Sequence, residues 1–115
     1  MELPPVNKGR NTWPDGAVNL IKLIEVQPGG VVSRILLKRK SGNITLFAFD
    51  AGQELSEHTA PFDALVQVLQ GEAKITIAGN STTIGAGEAL LLPAGKPHAV
   101  QAPVELRMLL TMIRE

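Results

Sequence analysis

From residue 31 onward the chain is a succession of short apolar-rich runs separated by glycine, proline and asparagine. Val31 to Lys38 is rich in β-formers, Arg39 to Asn43 supplies turn chemistry, and Ile44 to Phe49 answers as a second strand. Glu54 to Thr59 is short; Leu65 to Leu69, Ala73 to Ala78, Ala89 to Leu92, His98 to Gln101 and Leu106 to Ile113 follow. Between them lie Asp50-Ala51-Gly52, Gln70-Gly71, Gly79-Asn80-Ser81, Gly85-Ala86-Gly87, Pro93-Ala94-Gly95 and Ala102-Pro103. Turn signals at intervals of about 8 to 12 residues predict an all-β sandwich or barrel. Before residue 31 the grammar differs. Pro4, Pro5, Gly9, Pro14 and Gly16 describe an extended arm. Asp15 is placed to cap a short helix through Val18, Ile21 and Ile24, which Pro28-Gly29-Gly30 ends. The expected division is an arm over residues 1–30 and a strand-built domain over 31–115.

Two strands break simple alternation. Ile44, Leu46 and Ala48 share one face while Phe47 and Phe49 occupy the other; Leu106, Met108, Leu110 and Met112 share a face while Leu109 and Ile113 oppose them. A strand apolar on both faces needs a cover on its outer side. The arm could supply it. Because two strands carry the excess, a homodimer interface is the favoured expectation.

Composition narrows the function classes. Eleven basic and eleven acidic residues cancel to a formal charge of zero, so no electrostatic case exists for nucleic-acid binding. The dense basic stretch Lys38-Arg39-Lys40 falls at a hairpin tip and reads as an edge-blunting device. Without cysteine, disulfides and thiolate chemistry are excluded. The first residues lack a signal-peptide pattern, and no apolar run approaches the roughly 20 residues that span a bilayer. A cytoplasmic protein with no membrane partner is expected.

Candidate chemistry rests on the two histidines, which sit in two spaced motifs. Gly52 is followed by five residues to His58, then by Thr59, Ala60, Pro61-Phe62-Asp63 and Ala64, and by six residues to Gly71. Gly87 is followed by five residues to Pro93, then by Gly95 and His98. Pro93 stiffens the turn before His98, and the glycines serve tight corners. This bipartite spacing resembles the cupin family, and SEHTAPFDALVQVLQG, from Ser56 to Gly71, is similar to small stand-alone cupins without an assigned reaction. The resemblance implies a jelly-roll barrel, a double-stranded β-helix, whose interior commonly holds a divalent metal. It also implies that His58 and His98 are metal ligands pointing into the barrel. The sequence departs from the family pattern at Ala60, the place of a second histidine, at Ala64, the place of a glutamate, and at Ala102, the place of an asparagine.

Those departures leave the chemistry open. Two imidazoles fall short of a three-ligand zinc site or of a two-histidine, one-carboxylate iron site. Asp63 is one residue from the vacant glutamate position, and on a regular strand that offset turns it to the opposite face. A β-bulge near Pro61-Phe62 is what would restore it. Glu57 has the same fault, and Glu54 and Asp50 belong at the rim. With Ala60, Ala64 and Val66 on its walls, Phe62 near its mouth and Phe49 and Met108 deeper, the interior reads equally as an apolar pocket or as a filled core. The expected function is binding of a small molecule near His58 and His98, with zinc, iron, manganese or nickel as the candidate metal. The alternative is a metal-dependent enzyme such as a dioxygenase or isomerase. Catalytic residues are not identifiable from the sequence.

Overall fold

The computed structural model describes residues 13–114. The predicted arm through residue 12 lies outside the described residues. Nine strands follow a single 3-10 turn, Leu20–Leu23: β1 (Val31–Arg39), β2 (Gly42–Phe49), β3 (Glu54–His58), β4 (Asp63–Gln70), β5 (Glu72–Ile77), β6 (Asn80–Gly85), β7 (Ala89–Leu92), β8 (His98–Gln101) and β9 (Leu106–Ile113). They form two antiparallel sheets, ordered β1-β2-β9-β4-β7 and β3-β8-β5-β6. Strand spacing predicts such an all-β architecture, and the two-sheet order is the jelly roll that the resemblance implies. Among the described residues no helix is long and apolar enough to cross a membrane.

Two apolar layers hold the sheets. Phe49, Val66, Val68, Ile75, Leu106 and Met108 belong to a buried cluster between the sheets. A second cluster lies outside the five-stranded sheet, where Leu46, Ala48, Ile44 and Leu109 meet Leu23, Ile24, Trp13 and Val18. The chain's own residues 13–26 therefore cover the outer face of β2 and β9. Beyond that cover, Leu91 and Ile113 are 52% and 62% exposed. Arg34 and Arg107 bind the segment down by donating to the carbonyls of Leu23 and Ile24 at 3.1 and 3.0 Å.

Two local expectations change. The short helix is one 3-10 turn capped by Asn19, whose Oδ1 accepts from the Ile21 amide at 3.2 Å; Asp15 is not the cap. Four residues make one turn, too few to build an apolar helical face. The turn predicted at Gly79-Asn80-Ser81 sits at Ala78-Gly79, with φ of 48° and 85°, and a further strand, β6, begins at Asn80. Two successive residues with positive φ suit the right-handed twist of a two-residue hairpin. Residues 80–83 of β6 are exposed and Ile84 alone is buried, so the strand lacks the apolar alternation that reveals strands in sequence.

Glycine is obligatory where backbones cross closely. A Cβ on Gly71, whose φ is 85°, would strike the Glu105 carbonyl, whereas one on Gly79 would meet open space at the same φ. Gly79→Ala is expected to lose about 1–2 kcal/mol, the left-handed strain alone. Gly71→Ala adds a backbone collision and should lose more than about 3 kcal/mol. Urea unfolding of the two variants checks the order.

Candidate functional site

The antiparallel register brings the two histidines together. Leu55 pairs with Val100 and His58 pairs with His98, so three residues of β3 advance against two of β8. The extra residue is a β-bulge at Ser56-Glu57. In an unbroken strand, positions 55 and 58 would face opposite ways. The bulge turns His58 onto the face of Leu55, the face that His98 and Val100 present to the interior. The bulge thus lies before His58 and not at Pro61-Phe62, and it recruits the histidine rather than Asp63.

The rings meet edge to face, with centroids 4.3 Å apart and planes at 71°. Their Nε2 atoms stand 3.0 Å apart. The other ring nitrogens are occupied by the backbone: His58 Nδ1 lies 2.9 Å from the Ser56 carbonyl, and His98 Nδ1 lies 3.3 Å from the Lys96 carbonyl. A carbonyl can only accept, which places the proton of each neutral ring on Nδ1. With both rings neutral in that tautomer the two Nε2 lone pairs converge, and a proton on either Nε2 makes the contact a hydrogen bond. His98 is 7% exposed and His58 is exposed, so the pair sits at the end of the barrel with one ring within it and one open to solvent.

The loop that feeds β8 is tied to the loop after β3. Ala94 donates its amide to Asp63 Oδ1 at 2.8 Å, and Gly95 donates to the Ala60 carbonyl at 2.8 Å. Asp63 is exposed and anchors this loop instead of turning toward the histidines. Among the described residues, no three histidine, aspartate or glutamate side chains gather as a metal site. The remaining predicted lining divides. Phe49, Ala64, Val66 and Met108 lie in the packed cluster between the sheets. Phe62 lines a groove of about 400 Å³ with Pro61, Asp63, Ala94, Ile113 and Arg114. Sequence reasoning missed Thr45, which is buried and donates to Asn43 Oδ1 at 3.1 Å, and Arg114, whose guanidinium stands 5.1 Å over the Phe62 ring. Alternation alone could have placed Asn43 and Thr45 with Phe47 and Phe49, on the inward row of β2.

The Cupin domain family matches this sequence over residues 45–113. The chain belongs to the cupin family. Its fold is similar to a conserved protein of unknown function from Streptococcus pyogenes, at 31% identity and a TM-score of 0.86, covering 100% of this chain and 98% of that one. A cupin superfamily protein from Desulfitobacterium hafniense is 28% identical over the whole of both chains, with a TM-score of 0.84. A Cupin 2 conserved barrel domain protein from Leptotrichia buccalis is 38% identical, with a TM-score of 0.82, over 84% of this chain and 47% of that one. No protein of curated function matches the sequence.

Burial first, and then the neighbouring His58, push the His98 imidazole below the ordinary value, while the Lys96 carbonyl pulls the other way. A buried imidazole resists a positive charge, and a second charged ring would repel it. Between the unfolded and the lowered folded value the unfolded chain binds more protons. Stability therefore rises with pH through that window and falls as acid is added. In a proton NMR titration His98 should show a midpoint below 6.5. His58→Ala should raise that midpoint, and an unmoved one would show that burial acts alone.

Proposed function

We propose that the chain binds a small molecule at the histidine end of the barrel, with His58 and His98 as its polar anchor and a divalent metal as the cation that the two rings share. The convergence of two Nε2 lone pairs at 3.0 Å, each fixed by a backbone carbonyl on the far side of its ring, carries this reading. With both rings neutral in that tautomer the pair is repulsive until a proton or a metal ion lies between the rings. Backbone carbonyls that orient the non-coordinating nitrogen are the usual support of metal-bound histidine.

Two imidazole nitrogens are fewer than the protein ligands of a lasting zinc or iron site, so an ion held by His58 and His98 would be exchangeable. Water or the bound molecule would have to complete its coordination. When bound, the ion supplies Lewis-acid polarisation of a ligand oxygen. His58 and His98 would hold it, the apolar interior keeps water from the inner side of His98 alone, and the fastened loop keeps His98 in place. A dioxygenase or isomerase would also need a group to carry a proton beside the ion. Asp63, the carboxylate beside the vacant glutamate position, spends one oxygen on the Ala94 amide, so binding without catalysis is the better supported reading.

Manganese titration followed by NMR tests the assignment. Substoichiometric Mn²⁺ should broaden the ring signals of His58 and His98 ahead of all others. His98→Ala should weaken the effect at least about tenfold. Ring signals indifferent to both Mn²⁺ and Ni²⁺ would refute a metal at this pair.

A further inference from the structure

The neutral net charge of the chain conceals a separation along the barrel. The turn β1–β2, the loops β3–β4 and β7–β8 and the end of β9 share the histidine end of the barrel. Among the described residues this end carries Lys38, Arg39, Lys40, Lys96 and Arg114 against Glu57 and Asp63. The opposite end, beneath the loops β2–β3, β4–β5, β6–β7 and β8–β9, gathers Glu25, Asp50, Glu54, Glu72, Glu88 and Glu105 against Lys74 and Arg107. The hairpin tip and the groove beside Phe62 are physically joined, because the Arg114 amide donates to the Ser41 carbonyl at 2.6 Å. The Arg114 side chain in turn lies over Phe62, in a groove whose other walls are Pro61, Ala94, Ile113 and Asp63, one of whose oxygens accepts from the Ala94 amide. A guanidinium held against an aromatic ring presents its N–H fork toward a planar acceptor and leaves apolar surface beside it. A mouth with an excess of one charge sign draws ions of the other.

We propose that the histidine end of the barrel selects an organic carboxylate with an apolar body, the carboxylate drawn to Arg114 and the basic hairpin tip and the body resting on Phe62 and Ile113. This names the ligand class for the site of the preceding section and rests on that reading. An organic carboxylate suits the groove better than inorganic phosphate, which has no apolar body for the ring and the alkyl walls to receive.

Matched nitroxides test this on the whole protein. Carboxy-PROXYL is anionic, carbamoyl-PROXYL is its neutral counterpart and aminomethyl-PROXYL is cationic; each broadens NMR signals near which it dwells. At low salt, the anionic probe should broaden Phe62 and Ala94 at least about threefold more than the neutral one. The excess should shrink at physiological salt, where the Debye length falls to about 8 Å. It should vanish in the combined Lys38→Gln, Lys40→Gln, Arg114→Gln variant, whose amide spectrum otherwise matches the parent. Benzoate should relieve the broadening, and inorganic phosphate at equal ionic strength should not. Equal broadening by anionic and neutral probes, greater broadening by the cationic one, or relief by phosphate as readily as by benzoate would overturn the proposal. The ring signals of His58 and His98 separate the two claims. If no nitroxide reaches them while Phe62 keeps its anionic preference, the charge selection stands and the reading of the histidines as ligand anchor fails.

Discussion

Strands β2 and β9 lie side by side with apolar residues on both faces, and the molecule covers both along most of their length, leaving Ile113 at the end of β9 exposed. Their inner rows, Phe49, Leu106 and Met108, pack against the four-stranded sheet, and their outer rows receive Trp13, Val18, Leu23 and Ile24. Burying a large aliphatic or aromatic side chain contributes about 1.5–3 kcal/mol, so each layer is indispensable at the marginal stability of a domain this size. Because the central strands are fixed on both sides, the outer strands and loops are free to vary around a rigid frame.

Against that frame, a single extra residue decides which way His58 faces. The period of two in a strand would send His58 to the surface if β3 ran unbroken from Leu55. The bulge at Ser56-Glu57 reverses this, and the Ser56 carbonyl that it reorients also receives the His58 Nδ1 proton. Aim and tautomer therefore come from the same distortion. Electrostatics complete the arrangement: burial and the second ring both disfavour charge on His98, which keeps its Nε2 lone pair available.

The parts legible in the sequence are those with a fixed physical signature. Strands with mixed apolar and β-branched content, such as Ala89–Leu92 and Leu106–Ile113, could be read to the residue. Gly71 and the Pro93-x-Gly95 turn were legible because few residues tolerate those backbones. The strand Asn80–Gly85 was hidden because its residues are polar or small and its one buried side chain, Ile84, gives no period. The bulge left no mark either, since serine and glutamate carry no preference for it. Asp63 shows a different limit. Its spacing invited a ligand role, and only the path of the β7–β8 loop shows that its carboxylate is used to hold Ala94.

The two hydrogen bonds that clasp Ala94 and Gly95 to Asp63 and Ala60 have a kinetic meaning. They rivet the segments flanking both imidazoles to each other, so the aperture between them is set before anything arrives. Widening it would mean breaking both bonds, and no hinge glycine lies free between them. Under the proposed role, a guest of the right breadth would enter at the pace of encounter, and one too broad would be refused outright instead of being admitted slowly by a swinging gate.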